Sequence, residues 1–200
     1  YGRYRKLERD IPQTKWPCNE CGGSGLTRGA ACPGCDGTGF RYDRSVEQLT
    51  APPVVEAYEG ESATFHGAGR EDVDALMLGT GRPFVVEVED PHVRDVDPER
   101  LQAAINEFAD GAVEVTDVVV PTYEMVERVK ELDASKTYRM AVEFADAVTR
   151  DDFQAALDDL RGVTVTQRTP QRVDHRRADI DRTREVYDVE GELEDETHAT

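Results

Sequence analysis

Two cysteine pairs are the residues whose type and spacing most directly specify chemistry. Cys18-x2-Cys21 and Cys32-x2-Cys35 are separated by ten residues, and together they are all the cysteines of the chain. A pair at this spacing turns both thiolates into one bend, and two such bends supply four sulfur ligands at about 2.3 Å around one tetrahedral ion. A shell closed by four protein ligands leaves no position for water or substrate, so the ion expected here, zinc, is structural. The alternative pairing, as disulfides, belongs to oxidising compartments. Both halves carry glycines at matching places, Gly23 and Gly25 in one and Gly37 and Gly39 in the other, where positive φ lets the chain turn around the metal. No organic cofactor is expected.

The second stretch is FHGAGREDVDALMLGTGRPF, Phe65 to Phe84, with five charged residues and four glycines. It carries no helical period of useful length, and Arg70-Glu71-Asp72 after a glycine reads as a tight polar loop presenting a carboxylate. There is no G-x-G-x-x-G and no G-K-[ST], so the stretch is not a phosphate cradle. None of the four histidines has a G-x-S-x-G partner for a nucleophile triad. Composition alone leaves Asp72 a surface loop acid and Arg70 a solvated charge.

Charge narrows the partners. The chain has 24 basic and 42 acidic residues, a net charge of −18, and lysine occurs only at positions 6, 15, 130 and 136. An acidic, lysine-poor surface keeps a protein hydrated and dispersed in a salty cytoplasm, so a halophilic, cytoplasmic source is expected. The same charge opposes binding that depends only on phosphate neutralisation, so DNA is not an expected partner and any RNA contact is local. One place offers it. Arg168 to Arg184 holds six arginines and His175 against three aspartates, whereas Glu185 to Thr200 holds seven acids and no Lys or Arg. These arginines either fork onto phosphates or pair with the chain's own carboxylates. No run of about 18 apolar residues occurs, so membrane insertion is not expected.

The elements that must position these residues follow from periodicity. Ser45 to Leu49 and Pro53 to Tyr58 read as short helical pieces broken at Ala51-Pro52-Pro53, with a linker over residues 40–52. Phe84 to Val88, Val113 to Val120, Lys136 to Phe144 and Val163 to Gln167 read as strands. Pro98 to Ala109 with Asp97 as N-cap, Thr122 to Leu132, and Asp151 to Leu160 before Gly162 read as helices. Strands and helices in this order imply an α+β fold, a mostly antiparallel or mixed sheet with helices on one face. The expected division is a four-cysteine module over residues 1–45 and a second domain over 46–200.

Each cysteine half reads C-x-x-C-x-G-x-G, which resembles the zinc repeats of DnaJ-type co-chaperones, though only two repeats are present. A broader resemblance lies in GRED at 69–72, similar to the Gly-Arg-x-Asp loop of pseudouridine synthases. IPQTKWPCNEC, SVEQL, FHGAGREDVDALMLGTGRPF, KTYR and QRTPQRVDHRR follow in the order of the archaeal tRNA pseudouridine synthase family acting on T-loop uridines 54 and 55. This resemblance spans roughly residues 10 to 187. It implies an isomerase that acts on the T-arm of tRNA and needs no external energy. By the same resemblance Asp72 is the essential acid, Arg70 is its neighbour at the flipped nucleotide, and Tyr138 is the ring that packs against the uracil. Arg168, Arg172, His175, Arg176 and Arg177 become the RNA-facing cluster, and Arg3, Arg5, Lys6 and Lys15 are further RNA-contact candidates. The family's chain also has an RNA-binding region and a last catalytic segment beyond these residues, so the sequence reads as part of a longer chain. The alternative is a non-catalytic, zinc-stabilised RNA-binding module.

Overall fold

The computed structural model describes residues 1–132, 134–167 and 181–200, in two compact units, Tyr1–Ala134 and Ser135–Thr200. Helices and antiparallel strand pairs make up the chain, so the α+β class expected from the element pattern is what it adopts, but in the first unit helices cover both faces of the sheet, where one face was expected. Among the described residues no helix is long and apolar enough to cross a membrane.

The first unit is built on a four-stranded antiparallel sheet of order β4-β5-β1-β6. Its strands are β1 (Gly2–Lys6), β4 (Ser62–Gly67), β5 (Met77–Glu89) and β6 (Val113–Thr116). Period-two alternation sends neighbouring residues to opposite faces, and β5 shows it: Phe84 enters the main core, whereas Val85 enters a smaller one. The main core joins Tyr4, Phe65 and Phe84 to α1 (Val46–Tyr58) and α2 (Pro98–Ala109) through Val46, Leu49, Leu101 and Ile105. On the other face α3 (Glu124–Glu131) covers Val85 with Val126 and Val129. Edge strand β6 is blunted by Asn106 of α2, which donates to the Val115 carbonyl at 2.9 Å and accepts from the Val115 amide at 2.6 Å.

Several expected boundaries move. Helix α2 and its Asp97 cap fall where they were expected, but the two pieces around Pro52 and Pro53 are one helix, α1. Each proline removes an amide and costs about 3 kcal/mol in a helix interior. Burial opposes that cost, because Val46, Leu49, Thr50, Pro53 and Val54 form one buried stripe at spacings of three, four, seven and eight running through the prolines. Ser45 secures the start, its hydroxyl accepting from the Gln48 amide at 3.2 Å. The second half of the expected linker at 40–52, from Val46 onward, is therefore helix. Strand β6 stops at Thr116 instead of Val120 because Asp117 adopts φ 56°. Strand β1 belongs to the central sheet, so the cysteine segment is an insertion between β1 and α1, a different partition from 1–45 and 46–200.

The second unit contains β7 (Val142–Glu143) paired with β10 (His198–Ala199), α4 (Arg150–Leu160), and β8 (Thr164–Gln167) paired with β9 (Arg182–Glu185). Thr149 caps α4 by accepting from the Asp152 amide at 3.2 Å. Leu157 is buried, and Phe144 meets Phe153 edge-on at 6.2 Å. The expected strand over Lys136 to Phe144 is reduced to Val142–Glu143. Tyr138 and Met140 are exposed, and no ladder extends to them among the described residues.

Candidate functional site

The cysteine segment folds as two matching halves. Cys18 and Cys32 are buried, Cys21 and Cys35 are half-buried, and all four sulfurs lie within 4.8 Å of one another. The Cys18–Cys32 and Cys21–Cys35 sulfurs are 4.0 and 3.8 Å apart. Ligands at about 2.3 Å from a tetrahedral centre sit roughly 3.8 Å from each other, so the spacing fits four thiolates around one ion, and it is far from the roughly 2.05 Å of a disulfide. The cysteines are free.

The local rules repeat from one half to the other. The Gly25 amide points at Cys21 Sγ (3.3 Å) and the Gly39 amide at Cys35 Sγ (3.2 Å). The Cys32 amide donates to the Gly25 carbonyl, and the Cys18 amide to the Gly39 carbonyl, both at 2.8 Å. The Ser24 and Thr38 hydroxyls donate to the carbonyls of Cys21 and Cys35. Side chains are excluded at the crossing point: a Cβ on Gly25 would stand 2.3 Å from the Gly37 carbonyl oxygen, and one on Gly39 would stand 2.4 Å from that of Gly23. A short hairpin, β2 (Leu26–Thr27) with β3 (Ala30–Ala31), joins the halves.

The stretch from Phe65 to Phe84 is less loop-like than expected. Its ends are β4 and β5, and the loop proper is 68–76, with Arg70 and Asp72 exposed. Between them Glu71 turns inward. Its side chain is 5% exposed, and Arg82 Nε, on a side chain 7% exposed, lies 2.8 Å from Oε2. The Tyr4 hydroxyl, 2.8 and 2.9 Å from the two carboxylate oxygens, donates its proton to that carboxylate and accepts from Gln13 Nε2 at 2.9 Å. Burial, reinforced by the Glu71 charge, pushes the Tyr4 phenol well above its usual pKa, which keeps the donor protonated.

The loop's backbone is held as closely as its middle side chain. Gln13 Nε2 donates to the Gly69 carbonyl at 3.0 Å, Arg82 Nη1 to that of Ala68, and Arg9 to that of Asp74. Lys6 is fully buried, and its ammonium donates to three carbonyls, Ile11 at 2.8 Å and Asp72 and Val73 at 2.9 Å each. Burial lowers the Lys6 pKa, while the Glu71, Asp74 and Asp72 charges hold it up. Lys6 is therefore a core anchor rather than an exposed RNA contact. Arg3 is spent on the Thr80 and Gly81 carbonyls, Arg5 pairs with Glu114, and Lys15 lies 3.7 Å from Glu47.

Gly79-Thr80-Gly81, uninformative as sequence, is the irregularity that feeds this loop. The register between β1 and β5 jumps from Tyr4↔Arg82 to Lys6↔Met77. Gly79 and Gly81 take φ 63° and 71°, and a Cβ on Gly81 would stand 2.6 Å from the Tyr4 carbonyl oxygen. Gly81→Ala is expected to lower stability by about 1–3 kcal/mol, read from the denaturant midpoint at unchanged slope.

The four cysteines singled out in the sequence come together, and Arg70 and Asp72 both lie exposed on the loop of residues 68–76; the buried roles of Tyr4, Gln13, Glu71 and Arg82, and of Lys6, expected as an RNA contact, were not foreseen. Tyr138 belongs to the second unit and is 75% exposed. Arg168, Arg172, His175, Arg176 and Arg177 lie outside the described residues.

Comparison with known proteins supplies the context for this geometry. The profile of the Pus10 C-terminal family matches residues 1–200. A tRNA pseudouridine synthase Pus10 of Halorubrum lacusprofundi is 62% identical over 199 residues, 100% of this chain and 47% of the relative. That of Methanothrix thermoacetophila is 50% identical over 190 residues, 95% of this chain and 40% of the relative. That of Archaeoglobus fulgidus is 48% identical over 189 residues, 94% of this chain and 50% of the relative. The chain spans about half the length, or less, of these curated relatives.

Proposed function

Since the chain belongs to the Pus10 C-terminal family, we propose that it supplies catalytic residues of a tRNA pseudouridine synthase, an isomerase that converts uridine to pseudouridine at positions 54 and 55 of the T-loop. The reaction detaches uracil from C1′, rotates it and rejoins it through C5. It needs a carboxylate, a stacking surface and an excluded base, and no organic cofactor. Asp72 is the carboxylate, acting either as nucleophile or as the base that removes a ribose proton. Tyr138 gives the extruded uracil an aromatic face and a hydroxyl for the C5 proton. Arg70, its neighbour in the loop, stands in for the flipped base.

The observation that carries the reading is the loop of residues 68–76: Glu71 is turned into the core, so that Arg70 and Asp72 face outward from a backbone held on both sides. The four cysteines hold zinc as a structural ion, and Arg168, Arg172, His175, Arg176 and Arg177 contact the tRNA. With a net charge of −18 and a salty working medium, counterion release contributes little. Recognition then rests on shape, hydrogen bonding and the flipped base.

The test is chemical mapping of the T-loop after an unmodified tRNA transcript is incubated with the full-length protein in molar KCl. Pseudouridine at positions 54 and 55 is the expected result. A folded, zinc-loaded protein that binds the transcript and makes no product would leave a zinc-stabilised RNA-binding module in its place.

A further inference from the structure

We propose that Glu71 and Lys6 are positioning residues that fix where Asp72 presents its carboxylate, an inference that rests on the catalytic reading of Asp72 above. Three consecutive residues alternate out, in and out, and the inward one has nowhere else to go. Glu71 is received by the Tyr4 hydroxyl and the Arg82 guanidinium, both carried on the two central strands of the sheet. Immediately after Asp72, its own carbonyl and that of Val73 are gripped by the Lys6 ammonium, whose third bond goes to Ile11. The backbone is therefore tied to the sheet one residue before Asp72 and at its own peptide carbonyl. Both anchors trace to one strand, because Tyr4 and Lys6 are alternate residues of β1 on the same face.

Stability alone does not account for so polar an arrangement. Replacing a buried ion pair by apolar residues of similar volume is often neutral or stabilising, so an apolar side chain at 71 packed against one at 82 would hold the sheet equally well. What the polar version adds is direction: the Tyr4 hydroxyl bonded to the Glu71 carboxylate fixes the loop's rotation as well as its depth. A displacement of about 1 Å at a reacting group costs about a hundredfold in rate, so the consequence of losing direction is measurable.

The experiment uses the full-length protein and an unmodified tRNA transcript, with kcat, KM, tRNA binding and thermal unfolding measured on each variant. Glu71→Leu combined with Arg82→Met removes the ion pair without leaving a buried charge, and Tyr4→Phe keeps the ring in the core while deleting one donor. The double variant is expected to fold, unfolding somewhat below the wild-type temperature because the Tyr4 hydroxyl loses its acceptor and the Ala68 carbonyl its donor, to bind tRNA within twofold of wild type, and to lose about a hundredfold in kcat at unchanged KM, the signature of an interaction realised in the transition state. Tyr4→Phe is expected to lose several-fold in kcat, again at unchanged KM, and it decides the question if the double variant does not fold. A folded double variant with kcat within twofold of wild type, or a Tyr4→Phe protein of unchanged kcat, would overturn the positioning claim. Asp72→Asn in the same assay separates the two layers, since wild-type turnover by that variant would sink the catalytic reading itself.

Discussion

Glu71→Ala is expected to be among the most damaging single substitutions in the first unit, lowering its stability by about 3–5 kcal/mol. The loss does not come from a missing attraction alone. It comes from what remains: the Arg82 guanidinium, on a side chain 7% exposed, is left with no carboxylate beside it. The Tyr4 hydroxyl, in a fully buried residue, loses its acceptor at the same time, and a buried donor left unsatisfied costs about 1–3 kcal/mol. Such a loss is a large fraction of the 5–15 kcal/mol by which a domain of this size is stable. Urea unfolding of Glu71→Ala and of Glu71→Leu/Arg82→Met makes the check, with the double variant recovering most of the deficit. Equal midpoints for Glu71→Ala and wild type would mean that the pair contributes no net stability.

The second large effect concerns the metal. Removing it with a strong chelator, or replacing Cys32 by Ser, is expected to unfold residues 16–41 while the sheet of β1, β4, β5 and β6 stays folded. The segment's described backbone bonds are few and mostly gather around the sulfurs, including the paired Gly25 and Gly39 contacts, and its only described ladder is the two-residue hairpin β2–β3. It has little apolar surface to bury, with Leu26 exposed. Structural zinc in comparable small modules contributes on the order of 10 kcal/mol, which is the difference between a fixed and an unfolded insertion. Amide hydrogen exchange reads the result directly: protection vanishes at Gly25, Cys32 and Gly39 and persists at Tyr4 and Val115. Retained protection at the three cysteine-segment amides would show that the fold there does not depend on the metal.

Much of this was legible before any coordinates. Cysteine pairs at fixed spacing with matching glycines specify a ligand shell because the chemistry is local. The helix beginning at Asp97-Pro98 announces itself by its cap, and Phe84 to Val88 by its β-branched run. What stayed hidden was polar burial. GRYRK at the start of the chain alternates like a strand, but both of its faces are written in polar or aromatic letters, so hydrophobic periodicity passes over it. Only the partners at Glu71, Ile11 and Asp72, distant in sequence or hidden in the backbone, turn Tyr4 and Lys6 into core residues.

Nothing in the sequence marks Glu71 for burial, because a charged residue in a glycine-flanked loop is ordinarily solvated. Its role depends on Arg82, eleven residues on and across a strand irregularity that Gly79 and Gly81 permit. The continuity of α1 is hidden for a related reason: Pro52 and Pro53 carry a strong local veto, and the buried stripe that overrides it exists only once the sheet and α2 are in place.

Comparing wild type with Asp72→Asn for pseudouridine formation in an unmodified tRNA transcript, in the full-length protein, tests the central claim most directly. The substitution keeps the shape of the side chain and removes its charge. The account predicts product at the T-loop from wild type and at least about a thousandfold less from the variant, with the two proteins binding the tRNA equally. Product from Asp72→Asn at a rate within tenfold of wild type would contradict it.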